Sequence, residues 1–231
     1  MSNYTDYLKD LPNRISELIK RHFELEKNYE DSYEITLLLS LSFPLFNFTY
    51  EVIKFSSNYK GAYQKKAKKI KELLCVNICD DTTGIFKNVS NDWLYGINGV
   101  SVNQFYIESI QSPKSIFKNN ENKICDILEQ LRNSMSHAFV KFKANDSNEI
   151  ISIMFISRKY ENQESFINLN SSNIKIDIKE AKKIKTGYHV HEIPIQDFLN
   201  FINQFCAFLN KYKAGAMILD MLNQESYEYR A

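Results

Sequence analysis

In the stretch LRNSMSHAF, residues 131 to 139, Arg132 and Asn133 stand side by side and His137 follows four residues after the asparagine. These three residue types can work on a phosphodiester. A histidine, with an ordinary pKa of about 6.5, can take or give a proton near neutrality. An arginine stays charged and can grip two phosphate oxygens at once. An asparagine can orient either partner without titrating. A plainer reading also exists: Arg132 pairs with Glu129 one turn earlier, and His137 gains from the dipole of a helix C-terminus.

The element that carries these residues reads as a helix. Ile124, Ile127, Leu128, Leu131, Met135 and Ala138 make one apolar stripe. Asn119 or Asn120 is the predicted cap, and the helix is predicted to end near the motif or a little beyond, around Phe142, before the turn-rich KANDSN. On a straight helix, residues five apart differ by about 140° around the axis. Arg132 and His137 therefore share a face poorly, whereas Asn133 and His137 share one well. One copy of the motif supplies a single acid–base residue. Two copies across a two-fold axis would supply two histidines and two arginines, so a homodimer with one composite cleft is predicted.

The rest of the chain supplies the scaffold. A first helix is predicted from about Tyr4 to Tyr29, with Ile15, Leu18, Ile19, His22 and Phe23 on one face. ITLLLSLSFPLFNFTY (35–50) is a core helix that Asp31 or Ser32 can cap and Pro44 bends or divides. It is too short and too interrupted by polar residues to span a bilayer, which needs about 20 apolar residues. QKKAKKIKELL (64–74) packs Tyr63, Ala67, Ile70 and Leu74 inward, and its lysines read as a solvated face or, more sharply, as a phosphate-binding surface. Residues 76–118 are broken by Gly84, Gly96, Gly99 and Pro113, with Trp93 as a packing anchor and NQFYIESI as a short helix. Three strands follow: EIISIMFIS, the alternating NIKIDIK (173–179) and YHVHEIPI. A last helix runs from about Gln196 to Tyr212.

Composition bounds the class. The chain has 231 residues, 44% hydrophobic and 25% charged, with a formal net charge of +1. One domain is expected, and any nucleic-acid contact must come from a local patch. Cys75 and Cys79, one helical turn apart, read as small buried thiols, with no second pair to complete a zinc site. His189 and His191 share one side of their strand, read as an ordinary exposed face, and have no convincing third ligand nearby in sequence. No P-loop, G-x-S-x-G, H-E-x-x-H or G-x-G-x-x-G occurs, and the N-terminus lacks the shape of a signal peptide. The location read from this is the cytoplasm, with no membrane partner.

The Arg132-Asn133-x3-His137 pattern, on a packed helix before a switch to strands and a closing helix, resembles the HEPN superfamily. Its signature is an arginine, a polar residue and a histidine four to six residues after the arginine. The initial helix pair, motif helix, hairpin and closing helix look like the small prokaryotic HEPN proteins of plasmid and defence loci. Ala138 stands where many relatives carry glycine. The resemblance implies a single mainly α domain over 1–231. This would be a HEPN-like helical bundle with a small antiparallel β-hairpin or three-stranded sheet inserted before the last long helix. Residues 59–118 would be a variable insertion and 148–194 the β appendage. It further implies a metal-independent endoribonuclease without cofactor, often a toxin or abortive-infection effector. Arg132, Asn133 and His137 would be catalytic, and Ser136, Lys141 and Lys143 candidate RNA contacts. An antitoxin or defence-system partner goes with that reading. The other activity class in the superfamily is a non-catalytic binding module, either a nucleotidyltransferase partner or a nucleotide-sensing adaptor.

Overall fold

The computed structural model describes residues 7–21, 33–54, 61–98, 110–119, 121–162 and 183–214. Among these, the apolar periodicities give five α-helices: α1 (Tyr7–Ile19), α2 (Tyr33–Lys54), α3 (Gly61–Leu74), α4 (Ile124–Ser136) and α5 (Ile195–Lys211). They also give β1 (Leu94–Asn98), β2 (Ser115–Ile116), β3 (Val140–Ala144), β4 (Ile150–Asn162) and β5 (Lys183–Pro194). The five strands form one antiparallel sheet in the order β2-β1-β5-β4-β3.

This sheet corrects the mainly helical architecture with a small hairpin insert. Two physical features hid it. The helix stripe through the motif stops at Ser136, so Phe142 lies in β3 rather than at a helix end. The glycine-broken region 76–118 contributes β1 and β2, where Gly96 permits a close approach: a Cβ there would meet Pro113 Cβ at 3.0 Å. The strands are also longer than their apolar cores, 13 residues for β4 and 12 for β5. NIKIDIK, NQFYIESI, His22, Asn120 and the Asp31/Ser32 cap lie outside the described residues.

One continuous core joins the helices to the sheet, from Leu11 on α1 to Ala214 beyond α5. Phe46 on α2 meets Phe198, Phe201 and Phe205 of α5 at 6.0–6.5 Å. Trp93 is fully buried, stacked on Phe117 at 4.3 Å and edge-on to Phe86 and Phe201. It is the predicted anchor, and it ties β1 and the turn before it into the common core.

By length and composition, Ile35–Lys54 is apolar enough to cross a bilayer. Here Leu38, Leu45, Phe46 and Val52 are buried in the protein core instead. The helix continues through Pro44 without division. Its buried Ser42 and Thr49 hydroxyls donate to carbonyls of their own helix, at Leu39 and Leu45, so they enter the core with partners. On α3, Ala67, Ile70 and Leu74 are buried and the intervening lysines exposed, as predicted. The cysteine reading needs correction: α3 ends at Leu74, so Cys79 falls in a 3₁₀ turn and is exposed.

Candidate functional site

The motif helix is held at both ends. Its start is fixed by backbone, not by an asparagine side chain. Lys123 is the N-cap, with an extended ψ of 149°, and Ile124 N–H donates to the Val76 carbonyl at 3.0 Å. At the other end, Ala138 N–H donates to the Met135 carbonyl and Phe139 N–H to the Ser134 carbonyl, at 3.2 and 2.8 Å. That pair of bonds is a Schellman motif, which demands a left-handed residue just after the cap. Ala138 occupies that position with φ 54°. His137 is therefore the C-cap, standing at the lip of the helix with two residues between it and β3.

The middle of α4 is bound to the sheet through a buried polar chain. Trp93 Nε1 donates to His191 Nδ1 at 3.4 Å, and His191 Nε2 donates to Gln130 Oε1 at 2.7 Å. Both ring nitrogens are thus used by the neutral imidazole, and burial pushes the pKa of His191 down to about 3. His189 and His191 do share a side of β5, but that side packs against α4. His191 is 1% exposed and His189 half-buried, which overturns the exposed-face reading.

A pocket of about 540 Å³ opens between the end of α4 and the sheet. From α4 come Asp126, Glu129, Gln130, Asn133 and, at its cap, His137. From the sheet come Ser157 and His189, which face each other across the β4–β5 ladder. Phe139, Arg158 and Tyr160 add aromatic surface and one guanidinium. The His137 and Phe139 rings lie 5.9 Å apart, and the Arg158 guanidinium lies 5.5 Å over the Phe139 ring. Tyr95 stands behind His189 with its hydroxyl 2.7 Å from Nδ1. Burial, reinforced by the nearby Lys159 charge and opposed by Asp126, pushes the pKa of His189 down to about 4. Burial likewise raises the Tyr95 phenol, which keeps its proton.

The three motif residues are only partly brought together. Asn133 and His137 line the pocket; Arg132 does not. The Arg132 side chain turns toward α2, where Nε donates to Asn47 Oδ1 at 2.8 Å and the guanidinium lies 4.8 Å over the Tyr50 ring. Its Nη1 donates to Asn133 Oδ1 at 2.9 Å. That bond occupies the acceptor of Asn133, leaving its amide N–H₂ as the group it can offer the pocket. Of the candidate RNA contacts, the Ser136 hydroxyl donates to the Arg132 carbonyl, and Lys143 pairs with Glu192 at 2.9 Å. By strand register, Lys141 and Lys143 stand on the sheet face opposite Ser157 and His189.

Sequence reasoning missed Arg158, Ser157 and the carboxylates Asp126 and Glu129 as neighbours of the motif. For Asp126 and Glu129 a signal existed: both lie on the motif helix at spacings that recur near the Asn133 face. Arg158 and Ser157 reach the site through a strand pairing that no local pattern marks.

Comparison with known proteins adds the family. No curated protein and no solved structure matches the chain. A family model described as HEPN pEK499 p136 matches residues 1–215, nearly the whole chain. With the Arg132-Asn133-x3-His137 motif set at the capped end of a core helix, this chain belongs to the HEPN family.

Proposed function

We infer that this protein is a metal-independent endoribonuclease. The observation that carries the reading is the joint placement of Asn133 and His137 on one pocket, with Arg132 bonded to Asn133 behind them. RNA supplies its own nucleophile. A base takes the proton of a 2′-hydroxyl, and the 2′-oxygen attacks the adjacent phosphorus. The bond from phosphorus to the 5′-oxygen breaks, and an acid returns a proton to that oxygen. The products are a 2′,3′-cyclic phosphate and a 5′-hydroxyl. His137 is the acid–base group, exposed at its helix cap. Arg132 holds Asn133 in register, and Arg158 is the pocket-lining cation for the phosphorane charge.

One chain offers a single exposed motif histidine, whereas the reaction uses two proton transfers. A two-fold dimer that brings a second His137 into the cleft supplies the other, and a homodimer with a composite site is part of the proposal. The cytoplasm, a role as toxin or antiviral effector, and an antitoxin or defence-system partner that restrains it go with this reading.

The test is direct. Purified protein is incubated with total RNA in EDTA, and the ends are mapped for cyclic phosphate. Cleavage lost in His137→Ala supports the reading; absence of cleavage, or cleavage only with divalent metal, overturns it. A second reading draws on the pocket's two carboxylates and on the turn of Arg132 toward α2: a nucleotide-binding module that does not cut. Nucleotide binding without any RNA cleavage in the same preparation would favour it.

A further inference from the structure

The pocket beside the motif carries groups that phosphodiester cleavage does not use. Ser157 is 2% exposed, and its Oγ finds no hydrogen-bond partner, yet it lines the pocket. A buried hydroxyl without a partner costs on the order of 1–3 kcal/mol, a cost a bound ligand would remove. Asp126 and Glu129 line the same pocket and are exposed to it. Two carboxylates repel phosphate, so the part of the pocket that they line does not suit the backbone of RNA. They suit a ligand that presents N–H donors. Tyr160, 48% exposed, adds an aromatic face on which a planar ring can stack.

His189 completes the pattern. When the Tyr95 hydroxyl donates to Nδ1 at 2.7 Å, the proton of a neutral ring sits on Nε2. His189 thus offers a donor rather than an acid–base group. The pocket as a whole offers carboxylate acceptors with a fixed imidazole donor and a serine that can play either part. Guanine fits this set. Its N1–H and N2–H₂ are adjacent donors that match the two oxygens of one carboxylate, while O6 and N7 accept. Adenine and cytosine place a ring acceptor beside their amino group, which a carboxylate repels, and uracil has no amino group.

The geometry points to a base-recognition subsite: the pocket formed by Ser157, His189, Asp126 and Glu129 takes an unpaired guanine next to the scissile phosphate. This rests on the ribonuclease reading for the word scissile, but the binding of the base can be measured without it.

The test titrates the full chain with GMP, AMP, CMP and UMP in turn, by calorimetry, and separately maps the cleaved RNA ends. GMP should bind at least about tenfold more tightly than UMP. Asp126→Asn or Glu129→Gln should bring the two within about threefold, and Ser157→Ala should weaken GMP. Asp126 and Glu129 are exposed, so their variants keep the fold, and a melting curve checks each. Equal binding of all four nucleotides, no binding at millimolar concentration, displacement of GMP by equimolar inorganic phosphate, or a preference that survives both carboxylate changes would overturn the subsite. RNA cut with no guanine at the break overturns the subsite and leaves the nuclease. Selective GMP binding without RNA cleavage leaves the subsite and removes the nuclease.

Discussion

Arg132 and Asn133 are neighbours in the chain and are also joined through their side chains, Nη1 to Oδ1 at 2.9 Å, while Nε of the same guanidinium holds Asn47 on α2. A lysine would keep the charge and lose the fork. Arg132→Lys is therefore expected to slow cleavage nearly as much as Arg132→Ala, on the order of 10²-fold or more. Single-turnover rates on a short RNA decide it. A lysine variant within about threefold of wild type would mean that charge alone, not the bond to Asn133, is what the reaction needs.

His137 is exposed at the helix cap, and its ring touches Phe139 rather than the core. Replacing it by alanine should lower the rate on the order of 10²–10⁴-fold. Melting should change little, because no buried group loses a partner. A large fall in stability together with the rate would recast the residue as structural.

His191 makes stability depend on pH. Its pKa is lowered in the fold, from an ordinary 6.5 to about 3, so the unfolded chain binds a proton that the folded chain refuses. Stability from this residue is fully present above about pH 6.5 and is lost as pH falls toward 3, at about 1.4 kcal/mol per unit. Around pH 4.5 the loss is roughly 2–3 kcal/mol. Urea melts across this range in wild type and His191→Gln check it: the variant should be less stable at neutral pH and show a shallower slope. Equal slopes would locate the acid sensitivity elsewhere.

Ala138 sits at φ 54°, where a side chain is strained and glycine is not. Ala138→Gly should raise stability by about 1 kcal/mol, since the left-handed position after a helix cap favours glycine. Chemical denaturation gives the sign. A destabilised variant would show that the greater entropy of the unfolded glycine chain wins.

Composite assembly is tested by mixing. If one cleft draws a histidine from each chain, wild type refolded with an equal amount of His137→Ala should keep about a quarter of the activity of the same total amount of wild type, since only dimers of two wild-type chains hold both histidines. Retention of about half, in a sample that light scattering shows to be dimeric, would mean that each chain works by itself.

These residues also show what the sequence revealed and where it stopped. The motif, the α4 stripe as far as Met135, the α5 face and Trp93 as anchor were legible because each rests on a local period or a single bulky residue; Ala138, read as the stripe's last member, is exposed beyond the helix. The end of α4 was not. Alanine at position 138 carries none of the punctuation that glycine would have given, so the stripe appeared to run on toward Phe142. The sheet was hidden for a different reason. β1 and β2 are five and two residues long, β1 holds Gly96 and Pro113 precedes β2, and their pairing depends on partners twenty or more residues away. The exposed-face reading of His189 and His191 failed on the same point. Alternation told which residues share a side of β5, but only tertiary packing told that α4 covers that side. The pocket itself, built across α4 and two strands, had no local signature to find.

Only Ala138 and Phe139 separate His137 from the first residue of β3. That short tether couples the reach of the histidine to the seat of the strand. A residue inserted there would rotate or displace His137 relative to Ser157, whereas an insertion in the β3–β4 turn would leave both in place. In tracing this activity through other sequences, the distance from the histidine to the next strand should therefore be as strict a marker as the spacing from the arginine to the histidine.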